Sequence, residues 1–204
     1  MRLAIGGPTR DQVPAAFAVD VAQLYAYTRE RGPWGSDVTI GWVASTYIHV
    51  GREWFLEAAI KQHATHVLWL DTDMSVPRET AVLLFMHDTP IVACNYLVRQ
   101  DSGLFTASRD GQRVPTRADS TGLEAVEYVG LGAMLMRTDV VAGLGRPWFR
   151  HGLNELGGDV GEDVMFCRGL GRAGHTIYID HDLSKQVGHI GQHTYRIEAD
   201  PVEV

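Results

Sequence analysis

His66-Val67-Leu68-Trp69-Leu70-Asp71-Thr72-Asp73 is the stretch on which the reading of the fold turns. The run HVLWL is apolar after its first residue and too short for a core helix, so it reads as a buried strand. Directly after it the chain becomes acidic, then meets Ser75-Val76-Pro77, which opens a helix over Pro77 to Phe85. Working outward, Pro90 to Cys94 is another short apolar strand. Upstream, Arg52 to Gln62 reads as a helix and Val38 to Val43 as a strand. Phe17, Val21, Leu24, Tyr25 and Thr28 follow a helical period behind Pro14, and Leu3 to Gly6 is a strand ending in Gly6-Gly7-Pro8. Strands alternating with helices predict a parallel sheet covered by helices on both faces.

The second half is mixed. Residues 97–120 are polar and read as a long loop or irregular ribbon. Ala125 to Val129 and Ala133 to Arg137 are strands parted by Gly130-Leu131-Gly132. A helix over Glu162 to Arg172 ends at Gly174, and Thr176 to Ile179 is a strand. The stretch Gln186 to Gln192 carries His189 between glycines. No repeat or linker divides the chain, so a single α/β domain is expected over 1–196, followed by an acidic, frayed tail over 197–204.

The 204 residues are 45% hydrophobic and 21% charged, which suits one globular domain and excludes disordered or collagen-like classes. No apolar run approaches the ~18 residues that span a bilayer. The N-terminal apolar run is too short for a signal peptide, and Cys94 and Cys167 form no CxxC pair, so a cytoplasmic protein with reduced thiols is expected. A net charge of −7 argues against coating nucleic acid. Locally, Arg99, Arg109, Arg113 and Arg117 meet only Asp101 and Asp110, reading as a solvated loop or an anion-binding lid.

In open α/β sheets ligands bind beyond the carboxyl ends of the strands. Three polar points fall there: Gly6 to Arg10, Ser45-Thr46, and Asp71-Thr72-Asp73. Two carboxylates two residues apart can hold a hard divalent cation near phosphates. With 15 aspartates, chance alone supplies about one such pair per chain, and Asp180-His181-Asp182 is a second. The place of Asp71 and Asp73 at the end of a central strand singles them out. Glu162 and Asp163 open a helix, where acids offset the macrodipole; the same place suits a carboxylate base aimed into a cleft. His189 and His193 flank glycines, which argues against a paired-histidine zinc site, while His189 alone reads as structural or as one ligand of a metal held by Asp73. Trp148 is a core residue or a platform for a sugar ring. No nucleophile elbow, Walker loop, HExxH or dinucleotide fingerprint occurs.

Taken in order, these pieces resemble a GT-A-fold glycosyltransferase of the small family-two-like type found in bacteria and phages. The resemblance runs from Ile5 to about Tyr195. It rests on Gly7-Pro8-Thr9-Arg10, Arg52, HVLWLDTDM over 66–74, IVACNYLVR over 91–99, VGLGAMLMR over 129–137, GEDVMFCR over 161–168, Ile179-Asp180 and Gly188-His189-Ile190-Gly191. It implies a GT-A-like, Rossmann-type mixed sheet and a metal-dependent, inverting transfer from a nucleotide-diphosphate sugar, a UDP-sugar favoured. It implies that Asp71, Asp73 and His189 hold Mn²⁺ or Mg²⁺, with Pro8, Thr9, Arg10, Arg52 and Thr72 also at the donor. Asp163 would be the base, and Glu162, Trp148 and Gly132 would lie at the acceptor or sugar. The acceptor is a carbohydrate, a small molecule or a hydroxymethylated DNA base, so nucleic acid enters only as substrate. Glu53 departs from the asparagine that relatives often carry after Arg52. Two alternatives are a non-catalytic nucleotide-sugar-binding protein and a haloacid-dehalogenase-like phosphatase using Asp71.

Overall fold

The computed structural model describes residues 1–10, 12–99, 103–191 and 194–196. The acidic tail over 197–204, Asp101 and His193 lie outside the described residues. In chain order the first half contains β1 (Leu3–Thr9), α1 (Ala15–Arg31), β2 (Val38–Ala44), α2 (Ile48–Lys61), β3 (His66–Leu70), β4 (Met74–Ser75), α3 (Thr80–Met86) and β5 (Ile91–Ala93). The second contains β6 (Ser108–Arg109), β7 (Gln112–Arg113), β8 (Leu123–Val126), β9 (Ala133–Arg137), a 3-10 turn (Thr138–Val141), β10 (Gly152–Leu153) and β11 (Asp159–Val160). It continues through α4 (Glu162–Arg172), β12 (Ile177–Asp180), α5 (His181–Ser184), β13 (Gly188–Ile190) and β14 (Thr194–Arg196).

Seven strands form one mixed sheet in the order β2-β1-β3-β9-β5-β12-β8. The β1 strand pairs in parallel with β2 and β3, and β12 in parallel with β5. The expected parallel run breaks in the middle, because β9 enters between β3 and β5 and is antiparallel to both. Ala133 to Met136 are all buried. A strand buried on both faces carries no alternation that would reveal its direction or neighbours.

Helices cover both faces, as the strand–helix alternation predicts. Successive residues of β3 serve the two cores in turn. Val67 and Trp69 pack with Phe55, Leu56, Phe149, Phe166 and Leu170 beneath α2 and α4. Leu68 and Leu70 pack with Phe17, Val21, Leu24 and Leu84 beneath α1 and α3. Trp69 is wholly buried, edge-on to Phe55 and Phe149 with ring centroids at 5.4 and 5.3 Å.

Residues 103–120 are irregular apart from the short β6–β7 hairpin, and buried Asn95 pins them to the sheet. Its Oδ1 accepts from the Ala107 amide at 3.0 Å, and its Nδ2 donates to the Val114 carbonyl at 2.8 Å and to Thr116 Oγ1 at 3.1 Å. A further sheet in the order β14-β13-β4 joins the residues just after β3 to the C-terminal region.

Gly6 sits at φ +156°, and a Cβ there would overlap the Gly41 carbonyl and come 2.9 Å from the Phe55 ring. Gly41 has open space around its own Cβ position. Gly6→Ala is therefore expected to cost about 2 kcal/mol or more, while Gly41→Ala stays near neutral. At roughly 2–4 °C per kcal/mol for a chain of this size, thermal unfolding of the two variants separates them. Equal midpoints would show that β1 and β2 do not need this close approach.

Candidate functional site

The carboxyl ends of β1, β2 and β3 open onto a cleft of ≈ 430 Å³. Pro8, Thr9 and Arg10 leave β1, Ser45 follows β2, and Ile48 and Arg52 come from the start of α2. Asp71, Thr72 and Asp73 follow β3, with Arg99, Ile190 and Gly191 closing the far side. All seven residues that the resemblance implies at the donor, Pro8, Thr9, Arg10, Arg52, Asp71, Thr72 and Asp73, line this one cleft. Gly51 lets α2 come close, since a Cβ there would already sit 3.0 Å from that of Pro8.

Arg52 is the buried charge at the back of the cleft, 3% exposed. Its Nη2 donates to Asp71 Oδ2 at 3.0 Å and its Nε to Glu162 Oε1 at 3.3 Å, with the guanidinium 5.8 Å from the Trp69 ring. Burial alone would lower its pKa, but the charges of Asp71 and Glu162 outweigh burial and raise it, so Arg52 stays charged. Burial raises the Asp71 pKa, against the pull of Arg52. Asp71 Oδ1 and Arg52 Nη1 are buried without a hydrogen-bond partner among the described residues.

Asp73 sits in a different setting. Its Oδ2 pairs with Arg99 at 3.1 Å, and its Oδ1 lies 3.5 Å from His189 Nε2. The β4–β13 pairing creates this approach: His189 stands opposite Met74, and the Ile190 amide donates to the Asp73 carbonyl. His189 Nδ1 lies 3.0 Å from the Leu97 carbonyl, which can only accept, so Nδ1 carries the hydrogen. In the neutral ring Nε2 is then a lone pair facing a carboxylate oxygen, an arrangement that a proton or a cation completes. Burial would raise the Asp73 pKa, but His189 and Arg99 outweigh it and hold the carboxyl below the usual range.

The structure thus brings Asp73 and His189 together and turns Asp71 toward Arg52. Among the described residues no group of three or more His, Cys, Asp or Glu is arranged to hold a metal. Two protein ligands with open positions still match how Mn²⁺ or Mg²⁺ is bound, through one or two side chains plus substrate phosphates and water.

The α4 start faces the same cluster. Glu162 spends one oxygen on Arg52 in an ion pair. Asp163 does not line the cleft wall; its Oδ1 accepts from the Val164 amide at 2.7 Å. Burial, then the charge of Glu162, raises its pKa, and Arg52 and Asp71 are near enough to act on it as well.

Gly132 is fixed by its neighbours. Its amide donates to Tyr96 Oη at 2.9 Å, its carbonyl accepts from the Asp71 amide at 3.1 Å, and a Cβ would come within 2.6 Å of Tyr96 Oη. Trp148 is placed elsewhere, in a separate hollow of ≈ 290 Å³ beside Phe166 and Arg172. Glu53, the departure after Arg52, anchors that loop by accepting from the Trp148 and Phe149 amides at 2.8 and 3.2 Å.

Asp180 caps α5 and pairs with His87, and Asp182 accepts from the Gly122 amide, so the second acidic pair stays outside the cleft. Arg99 reaches the cleft, whereas Arg109, Arg113 and Arg117 line another hollow, where Arg109 pairs with Glu124 at 2.8 Å. Sequence reasoning missed Tyr96 and the distinct place of Arg99, although both lie in the IVACNYLVR segment.

No protein-family model matches the chain, and comparison with curated proteins finds no match. Among solved structures it is similar to A197 from STIV, with a TM-score of 0.64 and 15% identity over 100% of this chain and 98% of that one. That likeness shows a shared fold, a mixed α/β domain of Rossmann-like character. A glycosyltransferase involved in the glycosylation of the major capsid of PBCV-1 matches at a TM-score of 0.37 and 13% identity, over 72% of this chain and 70% of that one. At that distance the match carries no argument.

Replacing Arg52 by Met would leave Asp71 and Glu162 as uncompensated neighbours. A loss of about 3 kcal/mol in denaturant-induced unfolding is expected, with a smaller loss for Glu162→Gln. An unchanged Arg52→Met midpoint would show that the bridge does not hold β3, α2 and α4 together.

Proposed function

We propose that the chain is a metal-dependent, inverting glycosyltransferase that moves a sugar from a nucleotide-diphosphate donor, a UDP-sugar favoured, to an acceptor hydroxyl. The observation that carries this reading is a cleft at the strand ends that gathers Arg10, Arg52, Arg99 and Asp73, with His189 3.5 Å from the Asp73 carboxylate. Arg52 and Arg99 are already paired with carboxylates, which leaves Arg10 at the mouth to meet an anionic ligand, and the Asp73–His189 gap suits a cation bridging protein and phosphate. The resemblance to GT-A glycosyltransferases, carried by the motifs from Gly7 to Gly191, supports the same assignment.

Asp73 and His189 would hold Mn²⁺ or Mg²⁺. When bound, the ion supplies Lewis-acid stabilisation of charge on the leaving diphosphate. Pro8, Thr9 and Thr72 shape the pocket for the nucleotide, and Arg10 and Arg99 offer charge to its phosphates. In the transfer the bond from the anomeric carbon to the diphosphate oxygen breaks, and a bond from that carbon to the acceptor oxygen forms. The acceptor proton passes to Asp163, whose raised pKa makes it a better base than an exposed aspartate. A phosphatase reading would need Asp71 as nucleophile, yet its Oδ2 is held by Arg52 and its Oδ1 is buried.

Nucleoside diphosphates with Mn²⁺ are expected to raise the thermal midpoint. Saturation a hundredfold above the dissociation constant stabilises by about 2.7 kcal/mol, several degrees for this chain. A base that acts only with metal identifies the donor class; no shift with uridine, guanosine, cytidine, adenosine or thymidine diphosphate removes the donor site. Asp163→Asn should keep that shift and lose transfer and donor hydrolysis. Equal turnover in this variant and the parent would take Asp163 out of the mechanism, and retained donor binding with no turnover in the parent would favour the non-catalytic alternative.

His189→Ala is expected to weaken the Mn²⁺-dependent shift while the chain stays folded. Loss of the folded state would return His189 to a structural role.

A further inference from the structure

Two arginines of the cleft have carboxylate partners, and the two sets of pairs are built differently. Arg52 is buried and held from two sides, by Asp71 and by Glu162. The Arg99 side chain is 50% exposed and is held by Asp73, Nη2 to Oδ2 at 3.1 Å. An ion pair that water reaches contributes little and exchanges readily, whereas breaking a buried one strands a charge. Of the two guanidiniums, Arg99 is the one free to change partners.

The backbone that carries Arg99 is fixed. Leu97 bridges Phe105 in antiparallel fashion, and the Val98 amide donates to the Leu104 carbonyl at 2.9 Å. The Leu97 carbonyl accepts from His189 Nδ1 at 3.0 Å. One short segment thus touches both groups that face each other across 3.5 Å, His189 through a carbonyl and Asp73 through the Arg99 side chain. Turning Arg99 away from Asp73 needs only new side-chain torsions, and the carbonyl that orients His189 stays where it is.

Charge decides what such a movement answers. A divalent cation bound by Asp73 and His189 would share the Asp73 carboxylate with a guanidinium, and two cations on one carboxylate repel each other. A diphosphate by itself meets the opposite obstacle, since Asp73 is negative and Arg99 is already spent on it. Together the two ligands remove both obstacles. The cation takes over as the counter-charge of Asp73, and Arg99 is released to phosphate oxygens, which a guanidinium grips in bidentate fashion.

We propose that Arg99 couples the two ligands: it neutralises Asp73 until a divalent cation and a diphosphate arrive together, so that each binds more tightly in the presence of the other. This rests on the donor site proposed above. It adds to that site a residue that admits the metal–diphosphate pair in preference to either component.

The test titrates Mn²⁺ into the full chain, reading free Mn²⁺ from its electron paramagnetic resonance signal, alone and with uridine diphosphate. The association of Mn²⁺ with uridine diphosphate in buffer is subtracted, and thermal midpoints check that each variant folds. Arg99→Gln is expected to bind Mn²⁺ alone about tenfold more tightly than the parent, and to gain less from uridine diphosphate. Arg99→Lys, which keeps the charge, should restore much of the coupling. Arg10→Gln, at a residue that lines the same cleft, should weaken uridine diphosphate and leave Mn²⁺ alone unchanged. Equal Mn²⁺ affinity in the parent and Arg99→Gln overturns the inference. So does an Arg99→Gln variant that loses only diphosphate affinity, which makes Arg99 a plain phosphate contact. In both cases the donor site stands. No Mn²⁺ binding by any of these proteins, with or without uridine diphosphate, removes the donor site and the inference with it.

Discussion

A guanidinium taken out of water is the constraint around which the site is built. Arg52 carries a charge that burial penalises, and the cost is met only where carboxylates stand within hydrogen-bond reach. Asp71 and Glu162 meet it from two distant parts of the chain. The pairing fixes the end of β3, the first turns of α2 and the start of α4 relative to one another. It also divides the labour of the acidic motif. Asp71 is the counter-charge of Arg52, while Asp73, two residues on, faces Arg99 and His189; both line the cleft.

The second determinant is a backbone pairing. His189 reaches Asp73 because β13 lies along β4, a two-residue strand that follows the acidic motif directly. The Leu97 carbonyl then selects the ring tautomer, which leaves the other nitrogen facing Asp73. Orientation and tautomer are thus set by main-chain groups, which no single side-chain replacement can supply elsewhere. Tyr96 completes the packing, edge-on to His189 at 5.3 Å and bonded to the Gly132 amide.

Much of this was legible in the sequence, for reasons that differ by element. The bounds read for His66–Leu70, Ala133–Arg137 and Glu162–Arg172 coincide with β3, β9 and α4, because apolar runs and helix-opening acids mark their own ends. Residues of the cleft were legible because they follow strands whose carboxyl ends gather on one edge. The partners of those residues were not. Nothing local in GREW foretells that Arg52 will bind Glu162, 110 positions away, or that Glu53 will hold the loop at Trp148 and Phe149. Trp148 shows the same limit from the other side: its type suits a sugar platform, but the loop that carries it is drawn to another face. The direction of β9 was equally hidden, since a strand buried on both faces reads the same whichever way it runs.

That inserted strand has a consequence for how the molecule is made. The middle of the sheet is filled by residues 133–137, so β3 and β5 cannot be joined while only the first half of the chain exists. The nascent chain must carry β3 with one edge open until β9 arrives, and Asp73 gains His189 later still. Such late, long-range closure raises contact order and exposes apolar strand edges for the time it takes to synthesise the intervening residues. The approach of His189 to Asp73 thereby waits for β13, and a chain interrupted before β13 would hold the acidic motif without its histidine partner.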